Sequence, residues 1–229
     1  NCAVLTYIKF RYKFNQPLGN FLCNLISVTN LDLGYCFNHP LGNSLNNCTA
    51  LTHIRFGDIF NHPLGDSLNN CTALTYIYFG WNFNYPLLHS LDNCTALTHI
   101  NFGYNFNQPL DNSLNNCKSL THISFGFSFN QPLTNSFDKC SSLTDIYFGY
   151  EFNQPLANSL DNCSSLVHLG LGYNFIQRDE LPSNIKSLSL NCNNLYLVEY
   201  LPDGIEKLEL GYRFNLELDN LPSSIKKII

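Results

Sequence analysis

The chain has 229 residues, of which 45% are hydrophobic and 13% are charged, and its formal net charge is −5. The hydrophobic share is ordinary for a folded protein, and the sequence has no run of about 18 apolar residues that would predict a membrane span. The few lysines and arginines are scattered, whereas nucleic-acid-binding proteins carry a concentrated basic stripe. The composition therefore argues against a membrane span and against nucleic acid as the partner.

A short motif, Phe-Asn-x-Pro-Leu, recurs along the chain at a fixed period, and each copy begins 23 positions after the last. The copies begin at Phe14, Phe37, Phe60, Phe83, Phe106, Phe129 and Phe152. A fixed period of this length is typical of solenoids, in which each repeat stacks only on its neighbours. The sequence therefore predicts one elongated repeat domain.

Within one repeat, the apolar spacing predicts a short strand followed by a turn. Ile54 and Phe56 alternate with the polar residues His53 and Arg55, as in a strand with one buried face, and Gly57 allows the turn. Equivalent strands are predicted at residues 8–10, 31–33, 54–56, 77–79, 100–102, 123–125, 146–148, 169–171, 188–190 and 208–210, with an eleventh from residue 228.

The motif itself has a structural interpretation. Phenylalanines from successive coils can stack inside the solenoid, and asparagine amides can bond to the backbone of the adjacent coil. The proline suits a corner that needs no backbone donor, and the leucine is a core residue. We therefore assign these positions to the fold.

After about residue 172 the repeat changes. Leu-Pro-x-x-Ile segments begin at Leu181, Leu201 and Leu221, with a spacing of 20 positions. We expect residues 1–172 to form about seven repeats of the longer kind and residues 173–229 to continue the same solenoid as about three shorter ones. A shorter unit predicts a change of curvature near residues 175–181.

Ten cysteines raise the question of a disulfide framework. Seven occupy one repeat position, where the second unit has Leu25, and a position shared by cysteine and leucine is apolar core. These seven are Cys2, Cys48, Cys71, Cys94, Cys117, Cys140 and Cys163. We predict buried thiols in a reducing, intracellular setting, with oxidation between neighbouring coils left open. Cys23, Cys36 and Cys192 lie off this column and are expected to be more exposed.

Two sets of residues resemble known repeat families. The spacing Cys71-x-x-Leu74-x-x-Ile77-x-Phe79 resembles BspA-like leucine-rich repeats, and Leu-Pro-Ser-Ser-Ile together with Phe-Asn-Gln-Pro-Leu resembles FNIP repeats, which occur in amoebae and the giant viruses that infect them. This chain departs from FNIP units at the fourth motif position, where they often carry isoleucine and it has proline.

The resemblance implies a leucine-rich repeat solenoid, an arc or horseshoe with a parallel β-sheet on its concave face. Turns and short helical segments would lie on the convex face. It also implies a protein–protein interaction scaffold without cofactor. Some FNIP proteins carry an N-terminal F-box and resemble substrate receptors of ubiquitin ligases, a role that would require an F-box ahead of these repeats. The cytoplasm of the host or producing cell is the expected location.

An alternative is a structural or surface-associated protein, a virion component or an adhesin-like array. The chain begins at Asn1, contains no methionine, and stops within a repeat at both ends without the polar cap that solenoids need. We therefore expect flanking sequence, and self-association through uncapped ends is part of this alternative.

Three columns of residues are predicted to face outward from the sheet. The first two vary between repeats, whereas the core columns barely vary. The third column, just after the glycine, is nearly all aromatic. Tyr and Trp often anchor interfaces, although packing along the sheet edge is an equal alternative. The predicted partner-binding residues are His53, Arg55, Tyr76, Tyr78, Trp81, His99, Asn101, Tyr104, His122, Phe127, Tyr147 and Tyr150.

Other chemistry has weaker support. His99, His122 and Asp145 are neighbours in one flat column, whereas a zinc site needs three or four convergent ligands, so we predict solvated surface histidines and no metal. Ser124 and His122 lack a third group to orient them, so no enzyme is predicted. Four Asn-Cys-Thr/Ser sequons, at Asn47, Asn70, Asn93 and Asn162, follow from the Asn-Cys column and are attributed to chance.

Overall fold

The computed structural model of this protein describes residues 4–22 and 24–229. In these residues one parallel sheet has eleven strands in the order of the chain, β1 to β11. The strands are β1 Tyr7–Lys9, β2 Asn30–Asp32, β3 His53–Arg55, β4 Tyr76–Tyr78, β5 His99–Asn101, β6 His122–Ser124, β7 Asp145–Tyr147, β8 His168–Leu171, β9 Ser187–Leu190, β10 Lys207–Leu210 and β11 Lys227–Ile228. The chain is therefore a solenoid with one strand in each coil, as the repeat period predicted.

Strand register follows the repeat. Equivalent residues pair 23 positions apart from Tyr7↔Asn30 through Asp145↔His168. The offset falls to 19 positions at His168↔Ser187 and is 20 positions at the next two pairs, Ser187↔Lys207 and Lys207↔Lys227. The coils therefore shorten after β8, and a change of curvature at this point stays a prediction.

All eleven strands begin one residue before their predicted positions, and the first seven also end one residue earlier. β3, for example, starts at His53 because the backbone N–H groups of Thr52 and His53 both donate to the Thr29 carbonyl oxygen one coil earlier. Phe56 lies beyond the strand, although its N–H still donates to Tyr78 of the next coil at 2.9 Å. The first outward column therefore belongs to the strand itself.

Each coil surrounds a filled core. In the coil that carries β4, the core side chains are fully buried, namely Cys71, Leu74, Ile77, Phe79, Phe83, Leu87 and Leu91. The segments opposite the sheet are turns, and the only α-helix among the described residues is α1, Leu195–Glu199, capped by the Asn194 side chain. Stability comes mainly from stacking of coils, since each coil alone would leave its core open.

Two phenylalanine stacks run through the core, which confirms the predicted role of the motif phenylalanine. The motif rings from Phe14 to Phe175 stack with centroids 6.0–6.1 Å apart. The rings after each strand, from Phe56 to Phe148, stack at 5.2–5.4 Å. Every coil in this region therefore meets the next through aromatic contacts.

The asparagine prediction is also confirmed. The side-chain oxygen of each motif asparagine accepts the backbone N–H of the next motif asparagine at 2.9–3.0 Å, from Asn15 to Asn153. Asn153 accepts from Ile176, which stands where the next asparagine would be. These bonds satisfy turn donors that no strand partner reaches.

Glycines at the ends of the strands let successive coils touch. A Cβ atom built on Gly80, Gly103 or Gly126 would overlap the carbonyl oxygen of the glycine one coil earlier. No side chain fits there, because the two backbones are already in contact.

The column cysteines are buried, as predicted. Burial raises the pKa of the Cys71, Cys94, Cys140 and Cys163 thiols to about 12, so these thiols stay protonated near neutral pH and react slowly. Cys71, Cys94, Cys117, Cys140 and Cys163 form no disulfide, and Cys48 is also buried. Cys2 and Cys23 lie outside the described residues.

Among the off-column cysteines, Cys36 is half-buried, but the expectation of an exposed Cys192 is wrong. Only 1% of Cys192 is accessible. Its coil has Asn191 where the neighbouring coils have Gly172 and Gly211, and this local difference accompanies the inward turn of the thiol.

Among residues 4–22 and 24–229, no helix has the length and apolar character needed to cross a membrane.

Candidate functional site: the strand face and the aromatic row

The outward surface of the sheet is built by the first and third residues of the strands, because the middle residue of each is buried. We call these outward residues of β1 to β10 the strand face. Eight of the twelve predicted partner-binding residues lie in it, namely His53, Arg55, Tyr76, Tyr78, His99, Asn101, His122 and Tyr147.

A lysine, an arginine and a histidine of the strand face lie beside carboxylates. Lys9 lies 3.3 Å from Asp32, Arg55 lies 3.7 Å from Asp58 in the adjoining turn, and His122 Nε2 lies 3.1 Å from Asp145. Lys207 pairs with Glu209, and the Arg55 guanidinium also lies 4.7 Å from the ring centre of Tyr78. The face is therefore polar and close to electrically balanced.

A row of threonines, one residue ahead of each strand from β3 to β7, orients the histidines. The hydroxyls of Thr52, Thr75, Thr98, Thr121 and Thr144 each donate to the threonine carbonyl oxygen one coil earlier, at 2.9–3.0 Å. Where a histidine follows, the hydroxyl oxygen is then free to accept, and Nδ1 of His53, His99 and His122 lies 2.8–2.9 Å from it. The Thr144 hydroxyl differs, because it also lies 2.6 Å from the Asp145 carboxylate, to which it donates. Because the hydroxyl proton is already used, these histidines carry a proton on Nδ1.

His99 and His122 are not the fully solvated side chains that the sequence predicted. Both are half-buried, and their rings stack with centroids 4.3 Å apart and planes 9° from parallel. Burial, reinforced by the neighbouring His122, lowers the pKa of His99. The correction follows from the strand spacing, which brings equivalent side chains of adjacent strands into contact.

The column after each glycine forms a second feature, which we call the aromatic row: Tyr12, Tyr35, Trp81, Tyr104, Phe127, Tyr150, Tyr173 and Tyr212. Neighbouring rings from Tyr104 to Tyr173 stack at 4.7–4.8 Å, and Trp81 lies 5.9 Å from Tyr104. Trp81 is 56% exposed and Tyr104 44% exposed. Stacking covers the ring faces, so the row presents ring edges and hydroxyl groups.

The rings of this column pack on each other, and several also stay exposed. The geometry is therefore compatible with both interpretations of the column, packing along the sheet edge and anchoring of an interface. The remaining four predicted residues, Trp81, Tyr104, Phe127 and Tyr150, belong to this row, with Phe127 and Tyr150 half-buried. Asp58 interrupts the row between Tyr35 and Trp81, where it pairs with Arg55.

Two residues expected on the outward surface are covered. Gly170 is buried because the Tyr147 ring lies over it, and a Cβ on Gly170 would come 2.6 Å from Tyr147 Cδ1. Cys192 is buried in the row position. Sequence reasoning also missed the threonine row, although its regular spacing from Thr52 to Thr144 was visible, and it missed Arg213, which no repeat pattern marks.

Within the described ranges, no three histidine, cysteine or carboxylate side chains are grouped so that they could hold a metal ion. The outward surface can therefore offer hydrogen bonds, paired charges and aromatic edges, all of which suit recognition of another molecule.

Several known structures share this architecture. The chain is 16% identical to an internalin from Listeria monocytogenes over 90% of this chain and 75% of that one, with a TM-score of 0.53. It is 16% identical to the receptor in the TLR13–ssRNA13 complex, with a TM-score of 0.78, and covers 36% of that chain. It is also 16% identical to a chain of the Toll–Spatzle complex of Drosophila, with a TM-score of 0.54, over 97% of this chain and 39% of that one. These likenesses establish a shared solenoid fold.

No curated protein sequence matches this chain. Family models do match it. The model of the BspA type leucine-rich repeat region matches residues 1–87 and 69–180 in six copies, and the model of the FNIP repeat matches residues 193–229. Together with the eleven-stranded solenoid, these matches show that the chain belongs to the BspA-type leucine-rich repeat proteins and carries an FNIP repeat in its C-terminal coils.

Proposed function

We propose that this chain is a non-enzymatic scaffold that binds a protein partner across the strand face and the aromatic row. Leucine-rich repeat folds commonly mediate protein–protein interaction, and one structural neighbour is Toll in complex with Spatzle, although another is TLR13 in complex with ssRNA13. Protein binding is the role common in this family, and the outward residues of this chain indicate which surface would bind.

The observation that carries the proposal is the exposed part of the aromatic row. Trp81 and Tyr104 are stacked side by side and still leave about half of their surface accessible. Rigid, partly exposed aromatic side chains are the residues that most often anchor protein interfaces, because they bury a large area and lose little conformational freedom.

The charges favour protein over nucleic acid. Binding of nucleic acid draws its affinity from cations that neutralise phosphates, whereas Lys9, Arg55 and Lys207 on the strand face each already face a carboxylate. Paired charges of both signs, next to tyrosines and asparagines, suit the mixed polar rim of a protein interface.

Two narrower roles stay predictions. A ubiquitin-ligase adaptor depends on an F-box outside these repeats, and its test is the presence of that domain in the full-length protein. A structural array would assemble from the purified chain alone, and light scattering of the purified chain distinguishes it from a monomeric receptor. Location in the cytoplasm of the producing cell belongs to the adaptor role, and location in a virion or at the cell surface belongs to the array.

The face assignment is tested by the double substitution Trp81→Ala and Tyr104→Ala. Proteins enriched from a lysate of the producing cell by the immobilised chain are compared with those enriched by the variant. Loss of two anchors of this kind typically costs more than about 1 kcal/mol each, so the specific proteins should fall at least about tenfold.

The matched control is Tyr85→Ala, which removes an exposed tyrosine that lies in the motif and outside the aromatic row. This control should retain the captured proteins, and thermal unfolding should show that all variants stay folded. Equal capture by the double variant and the wild type would refute the assignment.

A further inference from the structure

The aromatic row has a gap in its C-terminal part. Tyr150 and Tyr173 stack at 4.8 Å, but the next position is Cys192, which is 1% accessible and points inward. One coil further on, Tyr212 is 89% exposed, and no stacking with another aromatic ring holds it among the described residues. A ring is therefore missing from the row between Tyr173 and Tyr212.

The gap arises from one local change of sequence. Asn191 stands where the neighbouring coils have Gly172 and Gly211, and its amide donates to the Leu171 carbonyl oxygen at 3.3 Å. A Cβ on Gly211, in the next coil, would lie 2.7 Å from Asn191 Oδ1. The asparagine therefore fills the space at the glycine contact, and the residue after it leaves the outward surface.

Arg213 lies at the gap. Its guanidinium carbon is 5.4 Å from the centre of the Tyr173 ring and 5.1 Å from the centre of the Tyr212 ring, within the range of a cation–π contact. A hydrogen bond with Tyr173 raises the pKa of Arg213. In the part of the chain that the structure describes, no carboxylate forms an ion pair with this arginine, unlike the cations of the strand face.

A cavity of about 300 Å³ opens beside these residues, lined by Phe148, Tyr150, Tyr173, Tyr212, Arg213 and the backbone of neighbouring glycines. This volume is at the lower end of ligand pockets, which measure roughly 300–1,000 Å³. The side chains of the lining are four aromatic rings, the Asn191 amide and one charged group, Arg213. The site therefore suits a small ligand with an apolar, planar body and a single negative charge.

We propose that this cavity binds the C-terminal aromatic residue of a partner protein, with its ring against the tyrosines and its carboxylate on the Arg213 guanidinium. This inference rests on the proposed function and names the chemistry that one part of the partner would present.

The size and the charge of the site select this occupant. Because a cavity of about 300 Å³ holds about one residue, the ring and the charge must belong to the same residue. A C-terminal Phe, Tyr or Trp meets this requirement, whereas an internal aromatic residue has no charge of its own. A guanidinium pairs with a carboxylate through two parallel hydrogen bonds, and its single charge matches one carboxylate better than the nearly double charge of a phosphotyrosine.

Titration calorimetry of the 229-residue chain with short peptides tests the proposal. The probes are acetyl-Gly-Gly-Phe with a free carboxylate, the same peptide as its C-terminal amide, acetyl-Gly-Gly-Ala with a free carboxylate, and an acetyl-Gly-Gly-phosphotyrosine amide. The first peptide should bind at least about tenfold more tightly than the amide and the alanine peptide, because each lacks one of the two contacts. Equal binding of acid and amide, tighter binding of the phosphotyrosine peptide, or no binding of the first peptide would each overturn the proposal.

Three variants locate the binding. Arg213→Gln should bring the affinity for the acid down to that for the amide, and Tyr212→Ala should weaken both, while Arg178→Gln, at an exposed arginine outside this cavity, should change neither. An unchanged preference for the acid in Arg213→Gln would overturn the assignment. The peptide titrations need no protein partner, so a negative result there does not refute binding of a partner on the strand face. That proposal is tested separately by partner capture with the Trp81 and Tyr104 variant.

Discussion

At the scale of single residues, Asn107 shows how one side chain connects coils. Its side-chain oxygen accepts the backbone N–H of Asn130 at 2.9 Å and the side-chain amide of Gln131 at 3.0 Å. Its own N–H donates to Asn84 at 2.9 Å. Asn107 is half-buried, so a lost acceptor would leave the Asn130 donor without a full replacement by water.

We therefore expect Asn107→Leu to lower the free energy of unfolding by about 1 kcal/mol, at the lower end of the cost of an unsatisfied buried donor because the Asn130 N–H is only partly buried. Urea unfolding followed by circular dichroism measures the change. Asn107→Asp, which keeps the acceptor oxygen, should cost less. Stability equal to that of the wild type in Asn107→Leu would show that the asparagine bonds contribute nothing.

The roles of Asn107 and Phe106 could be predicted from the sequence because both recur at one position with one chemistry, which indicates identical surroundings in every coil. Cys192 and Arg213 could not, since each depends on a neighbour that occurs once. The inward turn of Cys192 accompanies Asn191 in place of glycine, and the contacts of Arg213 depend on the gap that follows.

At the scale of strands, the threonine row and the histidine column act together on β3 to β7. The threonine hydroxyls hold Nδ1 of His53, His99 and His122 at 2.8–2.9 Å, and the spacing of parallel strands sets the ring contacts. The strand positions were predictable from the alternation of apolar and polar residues, but the stacked histidines were not, because alternation says which side a residue faces and nothing of its cross-strand neighbour.

His99 should make stability depend on pH. Its pKa is lowered in the folded chain by burial and by His122, with a further lowering by His53 and an opposing effect of Asp145. As the pH falls below about 6.5, the ordinary value for histidine, the unfolded chain takes up a proton before the folded chain does. Stability is therefore full above this pH and is lost as the pH falls toward the lowered folded pKa.

Urea unfolding at pH 7.5 and 5.5 should show a larger loss of stability in the wild type than in His99→Gln. Groups that titrate in both proteins cancel in this comparison to the extent that the substitution leaves them unchanged. Equal losses in the two proteins would show that His99 contributes no pH dependence.

At the scale of the whole molecule, the array is a sum of coils that meet only their neighbours. The aromatic stacks and the asparagine bonds keep the same form from coil to coil. The fixed repeat period was enough to predict this architecture, because every coil makes the same packing contacts with its neighbours. The sequence also predicts shorter coils after about residue 172 and a change of curvature near residues 175–181, and the change of curvature stays a prediction.

Deletion of residues 107–129 joins Phe106 directly to Asn130 and removes one whole coil. We expect the shortened chain to fold, to unfold cooperatively, and to show a urea dependence of stability lower by roughly a tenth, since that slope scales with the surface exposed. Deletion of residues 107–126 instead leaves one coil three residues too long and should reduce stability much more. Equal stability of the two deletions would contradict an array built from interchangeable coils.

The glycine contacts between coils also set a regular spacing on the outer surface. Because successive backbones touch at Gly80, Gly103 and Gly126, the rings of the aromatic row inherit a pitch of 4.7–4.8 Å. A partner whose side chains advance at the strand spacing of about 4.7–4.9 Å matches this pitch along its whole length. An α-helix laid along the row, whose turns advance about 5.4 Å, is out of step by half a ring within about four turns. The surface therefore selects a partner by the spacing of its side chains as well as by their chemistry. That spacing is set by glycines, which have no side chain.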